Sequence, residues 1–279
     1  MSKPGPVLGL IAGSGLLPVQ VVASCRAKGR RVFVLALKGH ADPAWVYAVP
    51  HAWIRLGAAG RGLEILRQRD VRKVVMAGAV RRPSLLELRP DQRTMTFLAR
   101  IGVRALGDDG LLRAVIRELE TEGFQIVGVE EVVGGLVASA GPYGKFAPDE
   151  QAWTDIRRGV EVARRLGAID VGQGAVVQQG LVLAVEAVEG TDAMLARCRS
   201  LIRQGLGGVL VKVCKPGQER RADLPTIGVA TVDNAAATGL RGIAVEAGGV
   251  LVVNRAAVAE RADRLGLFVI GFDMASPPP

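Results

Sequence analysis

VLGLIAGSGLLPVQVVASCRAK, residues 7–28, decides the reading of the fold. An apolar run, Val7–Ala12, is cut by Gly13-Ser14-Gly15. Leu16–Lys28 then shows helical spacing, with Pro18 in the first turn, where a missing N–H costs little. Strand, glycine turn and helix form the opening unit of nucleotide-binding α/β domains, where backbone N–H groups and the positive helix end receive an anion. GSG lacks the third glycine of GxGxxG, so a plain tight turn is the competing reading of the same residues.

Working outward, Arg31–Leu37 reads as a second strand without the acid that dinucleotide enzymes place at its end, which argues against NAD. Val49–Leu56 is a third strand, Arg61–Arg69 a helix and Val71–Ala77 a fourth strand ending at Gly78. Carboxyl ends of parallel strands are where such sheets bind ligands, so Gly78 is expected beside Gly13, Ser14 and Gly15. Arg81 and Arg82 are then either anion contacts or a solvated loop. Asp108-Asp109 reads as a helix cap ahead of Gly110–Glu122 rather than a metal site. Phe124–Val129 is the fifth strand. The expected fold is α/β in two domains: a Rossmann-like parallel sheet over residues 1–132 and a mixed α/β catalytic domain over 149–279. Residues 133–148, rich in Gly, Ala and Pro, read as a linker, with a ligand cleft expected between the domains.

In the second half, Asp149–Leu166 reads as a helix. A hairpin about Gln178–Gly180 leads through Leu181–Glu186 to a helix capped near Thr191–Asp192. Ile243–Glu246, Val250–Asn254 and Leu267–Phe272 are expected to complete the sheet. Glu186, Glu189 and Asp192 are either ligands for a hard cation or cap and surface residues. Gln178 and Gln179 suit sugar hydroxyls or amides.

The stretch with the most chemistry is GGVLVKVCKPGQERRADLPTIG, residues 207–228. A β-branched run empties into Lys212, Lys215, Arg220 and Arg221, around an aspartate, Asp223, braced by Pro225. Such a loop is a cradle for phosphates under attack or, in the competing reading, a solvated polar hairpin.

Composition narrows the chemistry. The 279 residues are 49% hydrophobic with 36 glycines, which suits buried strands and excludes a disordered chain. The charge is uneven: residues 1–135 hold 20 Lys+Arg against 12 Asp+Glu, and the remainder 16 against 15. That excess attracts a nucleotide or an anionic membrane surface, while no zinc-finger or RNP pattern points to nucleic acid. Cys25, Cys198 and Cys214 are scattered, as in a reducing, cytoplasmic setting. The lipobox-like Val22-Ala23-Ser24-Cys25 is outweighed by the glycines, Pro18 and Gln20 that interrupt the apolar run before it. With only His40 and His51, a His-rich dinuclear phosphoesterase centre cannot form, and neither GxSxG nor a P-loop lysine is present.

GLIAGSGLLP (9–18), VVMAGAVRRPSL (74–85), GDDGLLRAVIRELE (107–120), DVGQGAVVQQGLVLAVEAVEGTDAML (170–195), LVKVCKPGQERRADLPTIG (210–228) and GIAVEAGG (242–249) closely resemble the LpxI family. The resemblance runs in order through nearly the whole chain. It implies hydrolysis of UDP-2,3-diacylglucosamine to 2,3-diacylglucosamine 1-phosphate (lipid X) and UMP in lipid A synthesis. It further implies that water attacks the β-phosphorus with a divalent cation, taken as Mg²⁺, and that the family's essential aspartate falls on Asp223. Beside it, the expected roles are Lys212 and Lys215 against phosphate charge, Asp223 as metal ligand or water-orienting group, and Gly13, Ser14, Gly15, Gly78, Gln179 and Thr191 for the liponucleotide. The expected location is cytoplasmic, peripheral to the inner membrane, with a homodimer left open. A nicotinamide-dependent oxidoreductase and a non-catalytic liponucleotide carrier are the competing classes.

Overall fold

The structure, a computed structural model, describes residues 6–81, 88–101 and 108–274. Arg82, the side chains of Asp108 and Asp109, and the tail Pro277–Pro279 lie outside what it describes. The chain divides into two units: Met1–Gly134 with Glu219–Asp223, and Gly135–Gln218 with Leu224–Pro279.

The first unit is built on five parallel strands: β1 (Val7–Ala12), β2 (Val32–Leu37), β3 (His51–Ile54), β4 (Val71–Ala77) and β5 (Gln125–Ile126). Their order is β3-β2-β1-β4-β5. Every residue of β2 is buried, as expected of a parallel strand with both faces covered. Phe33, Leu35, Leu63, Leu66, Val74, Ile116 and Leu119 join strands and helices in one core. The chain winds from β1 outward to β3 and returns to β4 on the other side of β1. The strand order therefore reverses between β1 and β4, the switch point at which open α/β sheets receive ligands.

Two expectations change here. The fifth strand shrinks to two residues, because Val129–Val133 turns into a short helix whose entry is fixed by the Gly128 N–H donating to Glu131 Oε1 at 3.0 Å. A helix over Gln92–Ile101, unforeseen, is set by Asp91, whose Oδ1 accepts from the Thr94 N–H at 2.8 Å.

The second unit carries a mixed sheet of order β6-β13-β11-β9-β7-β8. Its strands are β6 (Gly141–Pro142), β7 (Gly174–Gln178), β8 (Leu181–Val185), β9 (Val209–Lys212), β11 (Gly242–Glu246) and β13 (Phe268–Phe272). β9, β11 and β13 run parallel; β7, β8 and β6 attach antiparallel. The hairpin falls where expected, with Gln179 at φ +53° and Gly180 at +78°, the left-handed pair of a two-residue turn. The helix Glu150–Ala168 is N-capped by Asp149 and lies close on the sheet, since a Cβ on Gly159 would come within 2.5 Å of Val211 Cγ2. Residues in the stretch read as a linker are packed: Leu136 and Ala138 are buried, and Gly141–Pro142 pair with β13.

The run Val250–Asn254 does not complete the sheet. Leu251–Val252 (β12) pairs instead with Thr226–Ile227 (β10) in a separate two-stranded ribbon. The Leu251 N–H goes to Pro225 O and that of Val252 to Leu136 O, while Asn254, at φ +56°, turns the chain into the next helix. No helix among the described residues is long and apolar enough to cross a membrane.

Candidate active site

At the switch point of the first unit, the ends of β1 and β4 are stitched together. The Ser14 N–H donates to Ala79 O at 2.9 Å, the Ala79 N–H to Ser14 O at 3.1 Å, and Ser14 Oγ to the same Ala79 O at 3.0 Å. The approach is too close for side chains: a Cβ on Gly13 would lie 2.5 Å from Ala79 O, and one on Gly78, at φ +95°, 2.5 Å from Ser14 O. Gly15, at φ +91°, faces open space instead. No side chain caps the helix Leu17–Ala27 that follows. The structure thus brings Gly13, Ser14, Gly15 and Gly78 into one loop pair. Arg81 sits next to it, its carbonyl accepting from His40 Nε2 at 3.1 Å.

Asp223 also belongs to the first unit. The chain leaves the second unit after Gln218 and returns at Leu224, and the five residues between pack on the first. Ala222 packs against the first unit's core. The Ala222 and Asp223 N–H groups both donate to Glu219 O, at 3.1 and 2.9 Å, closing a turn. Arg221 does not point its charge at an open cradle. Its Nε and Nη2 grip the two Glu219 carboxylate oxygens at 2.9 Å each, and its Nη1 donates to Glu120 Oε1 at 2.6 Å. This guanidinium is the main cause holding the Glu219 carboxyl below the usual carboxylate range.

Lys212 and Lys215 lie in the second unit, at and beyond the end of β9. Lys212 is 3% exposed and donates to Thr191 Oγ1 at 2.6 Å; Thr191 in turn donates to Glu186 Oε1 at 2.8 Å. The ammonium is 3.9 Å from that same Glu186 oxygen. The other oxygen of Glu186 is buried with no hydrogen-bond partner among the described residues, and a Cβ on Gly174 would come within 2.6 Å of it. Thr191 is no helix cap: it lies inside the first turn of Gly190–Cys198, whose N-cap is Glu189. Lys215 pairs with Asp170 at 2.8 Å. Nearby, the Cys214 N–H donates to Glu246 Oε2 at 2.8 Å.

Gln179 is not brought to this cluster. Gly174 faces Lys212 and Val177 faces Val209, so the hairpin tip lies at the opposite end of β9, about 16 Å along the strands. Its backbone N–H and that of Gly180 bind Asp155, and its Nε2 donates to Gln204 O at 3.2 Å.

Glu186, Glu189 and Asp192 do not converge. They are spent on Thr191, Arg197 and Asn234 respectively. Among the described residues no group of three or more His, Cys, Asp or Glu side chains could hold a metal ion. Residue types alone missed Glu120, Glu219 and Asp155, and read Arg221 as a phosphate contact. For Glu219 the available signal was an acid beside two bases in Glu219-Arg220-Arg221, which does not say which partner each charge takes.

Residues 7–136 match the family model described as LpxI N-terminal domain, and residues 139–270 the LpxI C-terminal domain. The chain belongs to the LpxI family. An LpxI relative, UDP-2,3-diacylglucosamine pyrophosphatase LpxI of Caulobacter vibrioides, is 48% identical over 278 residues, covering 97% of this chain and 99% of that protein. Two solved structures show a faint likeness to this LpxI-family chain. CobK precorrin-6A reductase gives a TM-score of 0.32 at 10% identity, over 99% of this chain and 90% of that one. A UDP-glucose-4-epimerase from Stenotrophomonas maltophila, with bound NAD and formylated UDP-arabinopyranose, gives 0.25 at 13% identity, over 52% and 40%. Neither likeness bears on function.

Proposed function

We infer that this chain hydrolyses the diphosphate bond of UDP-2,3-diacylglucosamine in lipid A biosynthesis, giving lipid X and UMP. The observation that carries this is 48% identity to the Caulobacter pyrophosphatase along 97% of the chain, with both LpxI domains matched in order.

In the proposed reaction a water oxygen bonds to the β-phosphorus and the bridging oxygen leaves with UMP. Asp223, on its closed turn, orients the attacking water. Gly13, Ser14, Gly15 and Gly78 let the backbone approach the nucleotide, and the helix end after Gly15, uncapped by any side chain, favours a phosphate there. Lys212 and Lys215, each beside a carboxylate (Glu186 and Asp170), are the ammonium groups that would meet phosphate oxygens from the end of β9, with Thr191 between Lys212 and Glu186. Gln179, at the far end of the strands, would meet a different part of the extended liponucleotide.

The donor set suits Mg²⁺, which takes one or two carboxylates and completes its shell with phosphate oxygens and water. Asp223 would hold it together with the substrate's phosphate oxygens. Bound there, Mg²⁺ would offset negative charge on the diphosphate.

The acyl chains of the substrate belong in a bilayer, and the basic first half suits an anionic surface, so peripheral association with the inner membrane on its cytoplasmic side is part of the reading. Vesicle co-sedimentation should weaken as salt rises; binding indifferent to ionic strength would exclude the electrostatic part.

Hydrolysis in ¹⁸O-water tests the chemistry. UMP should be released in the presence of Mg²⁺ with label appearing only in lipid X; label in UMP, or no UMP at any Mg²⁺ concentration, overturns it. Asp223→Ala should still bind substrate and fail to turn it over.

A further inference from the structure

We propose that Arg221 is a positioning residue that clamps the Asp223 turn to the helix Asp108–Thr121 and so fixes the carboxylate for the reaction; this rests on the reading of Asp223 as the reacting carboxylate. Glu219–Asp223 contains no strand or helix, and both of its ends lead back into the second unit.

Two kinds of contact meet at Glu219. Its backbone carbonyl receives the N–H groups of Ala222 and Asp223, so the position of Glu219 sets the position of Asp223. Its side chain is gripped on both oxygens by the Arg221 fork, while the third arm of the same guanidinium reaches Glu120, 101 residues earlier on the helix. A planar guanidinium with its donors in fixed directions can serve two carboxylates at once; an ammonium on a flexible stem cannot hold that geometry. The Ala222 methyl, packed on the first unit's core, supplies the apolar half of the anchor.

Exposure separates this role from a stabilising one. The guanidinium is 37% exposed, its Glu120 partner 40% and its Glu219 partner 18%, so the outer pair adds little to global stability and the inner one a modest amount. A displaced catalytic group, by contrast, lowers turnover by up to about 100-fold for a shift near 1 Å. The clamp is therefore expected to show in kcat more than in unfolding.

The test compares kcat, KM and melting temperature for Arg221→Ala, Arg221→Lys, Glu120→Gln and Asp223→Ala, using UMP release by the full chain. Arg221→Ala should lose about 10- to 100-fold in kcat, with KM within about twofold and the melting temperature moved by no more than about 3 °C. Arg221→Lys should recover part of the loss. Glu120→Gln should fall in the same direction by less, and it carries the test if Arg221→Ala fails to fold.

Turnover of folded Arg221→Ala within about twofold of the parent, with Asp223→Ala inactive, removes the clamp and leaves the functional reading standing. A raised KM at unchanged kcat would make Arg221 a substrate contact and overturn the proposal, as would activity lost only in step with folded protein. An active Asp223→Ala would take away the catalytic carboxylate and the clamp with it.

Discussion

Lys212 donates to Thr191 Oγ1 at 2.6 Å from a side chain that is almost wholly buried. In place of water, the buried side chain has the Thr191 hydroxyl and, behind it, the Glu186 carboxylate as partners. The network is net neutral and ties the end of the strand to the helix that begins at Gly190. Lys212→Met should leave Glu186 buried without its counter-charge and cost about 3–5 kcal/mol. Thr191→Val keeps both charges and removes the bridge, for about 1–3 kcal/mol. Urea unfolding should rank the two in that order; equal midpoints would mean that the buried charge is not held by this network.

The glycines at the switch point should not behave alike. Gly78→Ala meets a left-handed backbone and an oxygen 2.5 Å away, so strain and clash add, and a loss of at least about 2 kcal/mol is expected. Gly15→Ala meets only the backbone preference, about 1 kcal/mol. Thermal unfolding should separate them, and KM should rise more in Gly78→Ala if the loop pair receives the nucleotide.

Asp149 caps the helix Glu150–Ala168 through the Ala152 N–H at 2.8 Å, and also pairs with Arg241. The Ala152 bond, followed by the Arg241 guanidinium, holds its carboxyl below its ordinary value of 3.8. A depressed carboxylate stabilises fully above its unfolded pKa. The contribution is then lost as pH falls through the lower folded value. Asp149→Ala should therefore cost about 1 kcal/mol near neutral pH, with the difference from the parent closing below pH 3.8. A constant difference down to pH 2 would show that the cap does not act through its charge.

The three thiols should react in a fixed order. Cys25 and Cys198 are fully buried, and burial pushes both thiols up. Cys214 is partly exposed beside Gln218. Iodoacetamide on the native protein should label Cys214 first, with the other two reacting only on unfolding, as peptide mapping would reveal. Early labelling of Cys25 would mean that the first helix opens locally.

Much of this chain could be read before folding was considered. Val7–Ala12 and Val71–Ala77 were legible to the residue, because each carries an apolar run, Val7–Ala12 and Val74–Ala77, stopped by glycine. The hairpin at Gln178–Gly180 and the helix start at Asp149 are settled within four residues of chain, by turn geometry and by one capping bond. The opening GSG pointed to a strand-end loop, and the loop is there, with Gly78 against it.

Partnership was not legible. Leu251–Val252 has the composition of a sheet strand, yet its N–H groups go to Pro225 and Leu136, a choice no local pattern encodes. Arg221, read as one of four cations around a phosphate, is gripped by Glu219 and Glu120. Glu186, weighed as a metal ligand, lies in the buried network of Lys212 and Thr191. By itself, the sequence determined most of the elements, their order and the family, since apolar runs, glycines and caps act over a few residues. Only the tertiary structure decided which charges face each other and which unit carries Asp223, because a side chain's partner depends on segments that meet in space after a hundred residues of intervening chain.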